Sequence, residues 1–291
     1  LPRLRCVSPT ARRGSGRAAN SDRIRVRESE RQPGTRWEFR APAVPCLAWC
    51  TRLSSVDPKA NSPVSLSRLS WTEAAEWFRR DPRLLLPVGS CIQHGPHLPL
   101  GTDLMIVERL AGDIAVRTGL LLAPTVSYGV ASDTDRAYAG TASLDRKTLH
   151  RVLNELVDCW GHQGLEEIVL ITTNGFARNI QALAAVVDDT VRVRSIDTHA
   201  LDLSEFLSQG NAPERGGELE TSLMLFLEPE LVREEWIRDS PVGAEATLDP
   251  TVSAPVPGSP GVVGLPSLAS AEKGGRIFEH MVETISTRLE I

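Results

Sequence analysis

The sequence predicts an α/β fold in three layers, α/β/α, with a mainly parallel central sheet covered by helices on both faces. Three observations predict it. Short apolar runs at Leu84 to Gly89, Leu120 to Val126 and Glu167 to Thr172 suit strands buried on both faces. Each run leads into a loop and then into a segment with apolar residues at helical spacing. Repeated strand, loop and helix passes give parallel neighbours joined by crossover helices.

The first helix is predicted from Ser70 to Arg80, where Ser70 and Glu73 form a capping-box pattern ahead of apolar residues. Leu84-Leu-Leu-Pro-Val-Gly89 is the first strand, ended by its glycine. Leu104 to Thr118 carries Ile106, Leu110 and Ile114 on one stripe and stops at Gly119, and Leu120 to Val126 is the next strand. After the polar loop Tyr128 to Thr141, Leu149, Leu153, Leu156 and Val157 mark a helix over Asp145 to Gln163, ended by Gly164. Glu167 to Thr172 is a strand, Asn179 to Val187 a helix and Val191 to Asp197 a strand. Ser240 to Pro260, rich in Pro, Gly and Ser, reads as a surface excursion, and Ser270 to Glu290 returns to helix through Ile277, Met281, Val282 and Ile285. Ligands in such sheets sit beyond the strand C-termini, so the loops His94 to Asp103, Ser127 to Thr141 and Asn174 to Asn179 should share one rim.

At 291 residues, composition alone allows one large α/β domain or two small ones. A formal charge of −5 argues against a nucleic-acid-binding role, and no apolar run approaches the roughly 18 residues of a membrane helix. Five scattered cysteines (Cys6, Cys46, Cys50, Cys91, Cys159) form no C-x-x-C pair, which predicts reduced thiols and a cytoplasmic setting. Residues 1–62 differ from the rest: Arg3, Arg5, Arg12, Arg13, Arg17 and further arginines face few acids and lack apolar periodicity. A basic arm or a transit peptide fits the arginines, Asp22, Glu28, Glu30 and Glu38 oppose the transit reading, and a disordered basic extension fits the composition as a whole. The folded domain is expected over 63–291.

His94 and Asp103 lie nine residues apart around Gly95-Pro96 and Pro99, a stiff loop that holds both side chains at the rim. Imidazole and carboxylate are a usual ligand pair for zinc or manganese, although spacing alone fits capping or surface groups equally well. Cys91 has no sequence-near cation to lower its pKa and reads as a packed thiol.

Several segments together resemble the creatininase family of metal-dependent amidohydrolases. The family pattern G-S-x-E-Q-H-G-P-H-L-P-L-x-T-D is similar to Gly89 to Asp103, and Y-G-x-S-x-E-H-x-x-F-P-G-T is similar to Tyr128 to Thr141 with one extra residue. A-G-E-x-E-T-S matches Gly216 to Ser222, and G-D-P-x-x-A-x-x-E-K-G resembles Gly264 to Gly274. The resemblance runs from about Leu66 to the C-terminus.

What the resemblance implies is a creatininase-like fold and a hydrolase of a linear or cyclic amide C–N bond. The family's two divalent metals share an aspartate that falls on Asp103, His94 falls on a ligand of one metal, and Glu220 supplies its acidic ligand. The chain departs from the pattern at Ile92 and Phe176, in place of a glutamate and a histidine ligand, and at Arg178, Arg215 and Asp135. Ile and Phe cannot ligate, so at most one ion (Zn, Mn or Fe) is expected, with Glu218, Asp133 or Asp135 as general base. Arg178 and Arg215 would bind anionic groups or pair with Asp133, Asp135, Glu218 or Glu220 in a pocket without metal. Asn174, Asn179 and Tyr128 are substrate-side candidates, Asn179 also a helix cap, and His97 an outer hydrogen-bonding group. Two further readings stand beside the hydrolase: a catalytically degraded member that binds a small ligand or partner subunit, and a peptide-processing role in cofactor maturation of the mycofactocin type. Relatives in the family form rings, so a homo-oligomer, commonly a hexamer, is implied.

Overall fold

The computed structural model describes residues 62–208, 210, 214–240 and 260–290. The expected basic extension and most of the Ser240 to Pro260 excursion lie outside the described residues, apart from their edges. The sheet has four strands, β1 (Arg83–Val88), β2 (Leu121–Leu122), β3 (Glu167–Thr172) and β4 (Arg192–Asp197), all parallel in the order β2-β1-β3-β4. The helices that cover it are α1 (Trp71–Arg80), α2 (Thr102–Thr118), α3 (Arg146–Gly161), α4 (Ala177–Ala184), α5 (Glu218–Leu227) and α6 (Ala271–Leu289).

Alternate strand residues feed two separate cores, as the two-residue period of a strand requires. Leu85, Val169 and Ile171 pack with α2, α5 and α6 through Leu110, Leu223 and Ile277. Leu84, Leu86, Ile168 and Leu170 pack on the opposite face with α1, α3 and α4 through Phe78, Leu153 and Leu183. These clusters form the three layers. The chain leaves β1 for β2 on one side and returns through β3 on the other, so the strand order reverses between β1 and β3. Ligand crevices open at that point.

The local signals mostly operate where the sequence puts them. Ser70 caps α1, with its Oγ accepting from Glu73 N at 3.4 Å while Ser70 N donates to Glu73 Oε2 at 2.8 Å. We expect Ser70→Ala to cost about 1 kcal/mol, read as a fall of roughly 3 °C in thermal melting. Gly119 ends α2 in the left-handed region at φ 73.

Three elements differ from expectation. The strand predicted over Leu120 to Val126 shrinks to Leu121–Leu122, because Pro124 has no N–H for the ladder; pairing resumes only as a bridge between Val88 and Val126. Helix α4 begins two residues before Asn179, because the Asn174 side chain accepts Phe176 N at 3.0 Å and turns the chain early. Asn179 therefore lies inside the helix and does not cap it. Helix α5 has no amphipathic signature in the sequence, since Glu218 through Met224 are all buried. Among the described residues, no helix is long and apolar enough to cross a membrane.

Candidate metal centre

Three side chains from three elements meet at the C-terminal rim of β1. The loop after β1 brings His94, with Ile92 N donating to Leu100 O at 3.0 Å and Gly95 N to Gln93 Oε1 at 2.9 Å. Asp103 lies in the first turn of α2 and Glu220 in the first turn of α5. Both helix N-termini favour the ionised carboxylates. Gly216 lets α5 start against the loop: its φ is +59, and a Cβ there would collide with the His94 carbonyl.

His94 Nε2 is 3.3 Å from Asp103 Oδ1 and 3.5 Å from Glu220 Oε1, and all three side chains are buried. His94 Nδ1 is 3.0 Å from the Ile92 carbonyl, which can only accept, so the ring proton of neutral imidazole belongs on Nδ1. Nε2 then turns a lone pair toward two carboxylate oxygens. Asp103 Oδ2 accepts from Ser90 Oγ and Glu220 Oε2 from Gly216 N, while Asp103 Oδ1 is buried and accepts no hydrogen bond. Electron pairs facing one another in a buried site call for positive charge, from a metal ion, a second proton on His94 or the neighbouring Arg215.

The donor set fits a single divalent ion. One ligand atom from each of the three residues lies within 4.8 Å of the others. Bonds of about 2.0–2.1 Å in tetrahedral array would separate ligand atoms by about 3.4 Å, matching the 3.3 and 3.5 Å observed. Without a metal, a second proton on His94 serves instead: burial opposes it, but Glu220 and Asp103 outweigh burial and raise the imidazole to about 10. Burial would raise Glu220 in turn, and the charge of His94 overrides it, lowering that carboxyl to about 2.

Around this centre the sequence candidates take distinct places. Arg215 belongs to it: Nη1 is 3.3 Å from His94 Nε2 and Nη2 is 3.9 Å from Asp135 Oδ2. Asp135 is buried and held by Gln93 Nε2 at 2.7 Å and Ser132 Oγ at 2.6 Å. His97 supports from behind, 2.9 Å from Thr221 Oγ1, and burial lowers it to about 4, so it stays neutral. Ile92 is fully buried, and Phe176 is half-buried against the core beneath α3 and α4.

Others lie apart from the three donors. Glu218 accepts from Ser208 N and Oγ, both at 2.8 Å, and from Lys273 Nζ, which fastens α5 to α6. Asp133 is exposed, 4.0 Å from Arg136. Arg178 is exposed on the first turn of α4 and does not join Arg215, because the early helix start turns Asn179 inward in its stead. Asn174 and Asn179 bind no ligand-facing space: Asn179 Oδ1 accepts Val130 N at 3.0 Å and Asn174 Nδ2 donates to Val130 O at 3.1 Å, tying the Tyr128 loop to β3. Tyr128 itself is 51% exposed.

Sequence reasoning passed over Ser90, Gln93 and Glu214. The first two sit inside the Gly89 to Asp103 motif, which offered the signal. Glu214 accepts from Glu218 N at 2.9 Å and from Leu219 N, and burial, reinforced by Glu220, raises it to about 8. A carboxyl raised in the fold above its ordinary 4.5 contributes stability that is complete below pH 4.5 and lost as pH rises toward 8. In chelator-treated protein, Glu214→Gln should therefore gain roughly 3 kcal/mol over wild type between pH 5 and pH 8 in urea unfolding. Equal pH slopes for the two proteins would contradict it.

Comparison with known proteins places the chain in a family. The family model for creatininase, described as creatinine amidohydrolase, matches residues 67–289. The mycofactocin precursor peptide peptidase of Mycobacterium ulcerans (strain Agy99) is 32% identical over 228 residues, covering 72% of this chain and 84% of the relative. Creatinine amidohydrolase of Pseudomonas putida is 29% identical over 249 residues, covering 77% of this chain and 95% of the relative. A solved structure named "Creatininase Mn" superposes with a TM-score of 0.66 at 26% identity, over 78% of this chain and 97% of that one. With a family match that spans the sheet, all six helices and the three donor residues, this chain belongs to the creatininase family.

Proposed function

We propose that this protein hydrolyses an amide C–N bond, in a small molecule or a peptide, with one divalent ion of zinc, manganese or iron held by His94, Asp103 and Glu220. The observation that carries the reading is the unpaired, buried Oδ1 of Asp103 facing the His94 lone pair and Glu220. When bound, such an ion polarises the amide carbonyl and acidifies its water. Ile92 and Phe176 offer no electron pair for a second ion.

The remaining groups divide by placement. Arg215 presents a fixed charge beside His94, suited to the amide oxygen or a carboxylate of the substrate, and Asp135 orients it. Asp135 is the candidate acid that reaches the centre through Arg215, whereas Glu218 is engaged by Lys273 and Asp133 faces outward; to accept a proton it would share oxygens already bonded by Gln93 and Ser132. The names of the relatives, a peptide peptidase and a creatinine amidohydrolase, support both substrate classes.

Arg215 also favours a second reading, a ligand-binding member without turnover, because its guanidinium stands 3.3 Å from the nitrogen that would take the metal. Elemental analysis of the purified protein, with assays on creatinine and short peptides, separates the two. About one equivalent of metal with hydrolysis supports the enzyme; under about 0.1 equivalent after metal reconstitution ends it. We further propose a cytoplasmic homo-oligomer of hexameric size, for which light scattering showing a monomer at micromolar concentration would be contrary.

A further inference from the structure

The arginine that parts from the metal centre has company. Arg178 lines a cavity of about 510 Å³ together with Arg136, Arg146 and Lys147, and none of His94, Asp103 or Glu220 takes part in the lining. The volume lies inside the roughly 300–1,000 Å³ range of small-molecule sites. Four cations on one cavity are not the overflow of a basic protein, since the chain carries a formal charge of −5.

Acidic groups offset only part of these charges: Asp145, which interacts with Lys147, and Asp133, 4.0 Å from Arg136. Asp145 is the one carboxylate in the lining, and it is occupied as the cap of α3, accepting Lys147 N at 2.8 Å, Thr148 N at 3.0 Å and Thr148 Oγ1 at 2.6 Å. Arg146 and Arg178 make no salt bridge among the described residues, and Lys147 lies close enough to Asp145 to act on its charge.

The backbone adds to the field. Two helix N-termini converge here; that of α3 is already met by the Asp145 carboxylate, while that of α4, at Arg178, receives no side-chain cap. The dipole of α4 favours an anion. The floor at Val130 is held by the two buried asparagines, while the four cations around it are exposed.

We infer that this cavity binds a small, multiply charged anion bearing phosphate or carboxylate groups, at a site separate from the metal centre. The test is isothermal titration of the full chain at constant ionic strength, with pyrophosphate and citrate as probes. Saturable binding is expected, weakened about tenfold or more by Arg178→Glu and by Lys147→Glu, and retained by Asp103→Asn protein, which excludes capture at the metal centre. Tighter binding of pyrophosphate assigns the site to phosphate, and tighter binding of citrate to carboxylate. Arg178→Gln replaces the charge reversal if that variant does not fold, as checked by circular dichroism. Absence of saturable heat up to about 5 mM, equal affinity in the charge variants, or loss of binding in Asp103→Asn would each overturn the assignment.

Discussion

Asp103→Asn should reduce bound divalent metal from about one equivalent to under about 0.1 and lower amide hydrolysis by at least about 10³-fold. The substitution keeps the size of the side chain and can keep the bond from Ser90, and the backbone bond from Thr173 Oγ1 to Asp103 O, 2.8 Å, is untouched. What disappears is the charge on Oδ1, the buried donor that no hydrogen bond satisfies. A His and Glu pair alone falls short of the three protein ligands a catalytic zinc site needs. Against chelator-treated wild type, the fold should lose roughly 1–3 kcal/mol, because the variant withdraws one of the two carboxylates that hold protonated His94 as well as the anion at the start of α2. Elemental analysis alongside a thermal melt distinguishes a lost ligand from a lost fold. Ser90→Ala, which frees Asp103 to rotate, should fall between, at roughly 10–100-fold weaker metal binding.

Gly274→Ala should destabilise the protein by about 3 kcal/mol, lowering the melting temperature by roughly 10 °C. Gly274 lies in the first turns of α6, where the helix crosses α5 so closely that a Cβ would stand inside the Ser222 carbonyl. The obstacle is backbone, which cannot rotate away. Gly275 beside it faces the Phe226 ring at 3.2 Å, a side chain able to shift, so Gly275→Ala should cost far less. The pair of melts separates backbone contact from general helix propensity, which would favour alanine at both sites. Since α5 carries Glu220, the Gly274 variant should also weaken metal binding in whatever fraction stays folded.

Legibility followed the range of the forces involved. The capping box at Ser70, the stop at Gly119 and the run of β3 are written in adjacent residues, and the structure has them there. The α5 helix was illegible because burial on every side erases the periodicity that announces a helix. The β2 strand and the start of α4 were misplaced by single side chains, Pro124 and Asn174. At the site, His94 and Asp103 share one loop and could be paired from spacing and motif. Glu220 could be joined to them only through the family resemblance, and the grouping of Arg178 with Arg215 failed because it depended on which way a helix turn faces.

The sequence by itself determined the strand and helix alternation, the parallel sheet and the family, since these follow from local propensity, apolar patterning and short motifs. Only the tertiary structure decided that three donors meet with one carboxylate oxygen unpaired, that Glu218 is fastened to Lys273, and that Arg178 joins a separate basic cavity. Those outcomes depend on how helices far apart in the chain cross at the rim of β1 and β3, and ångström-scale approach between distant segments leaves no trace in residue spacing.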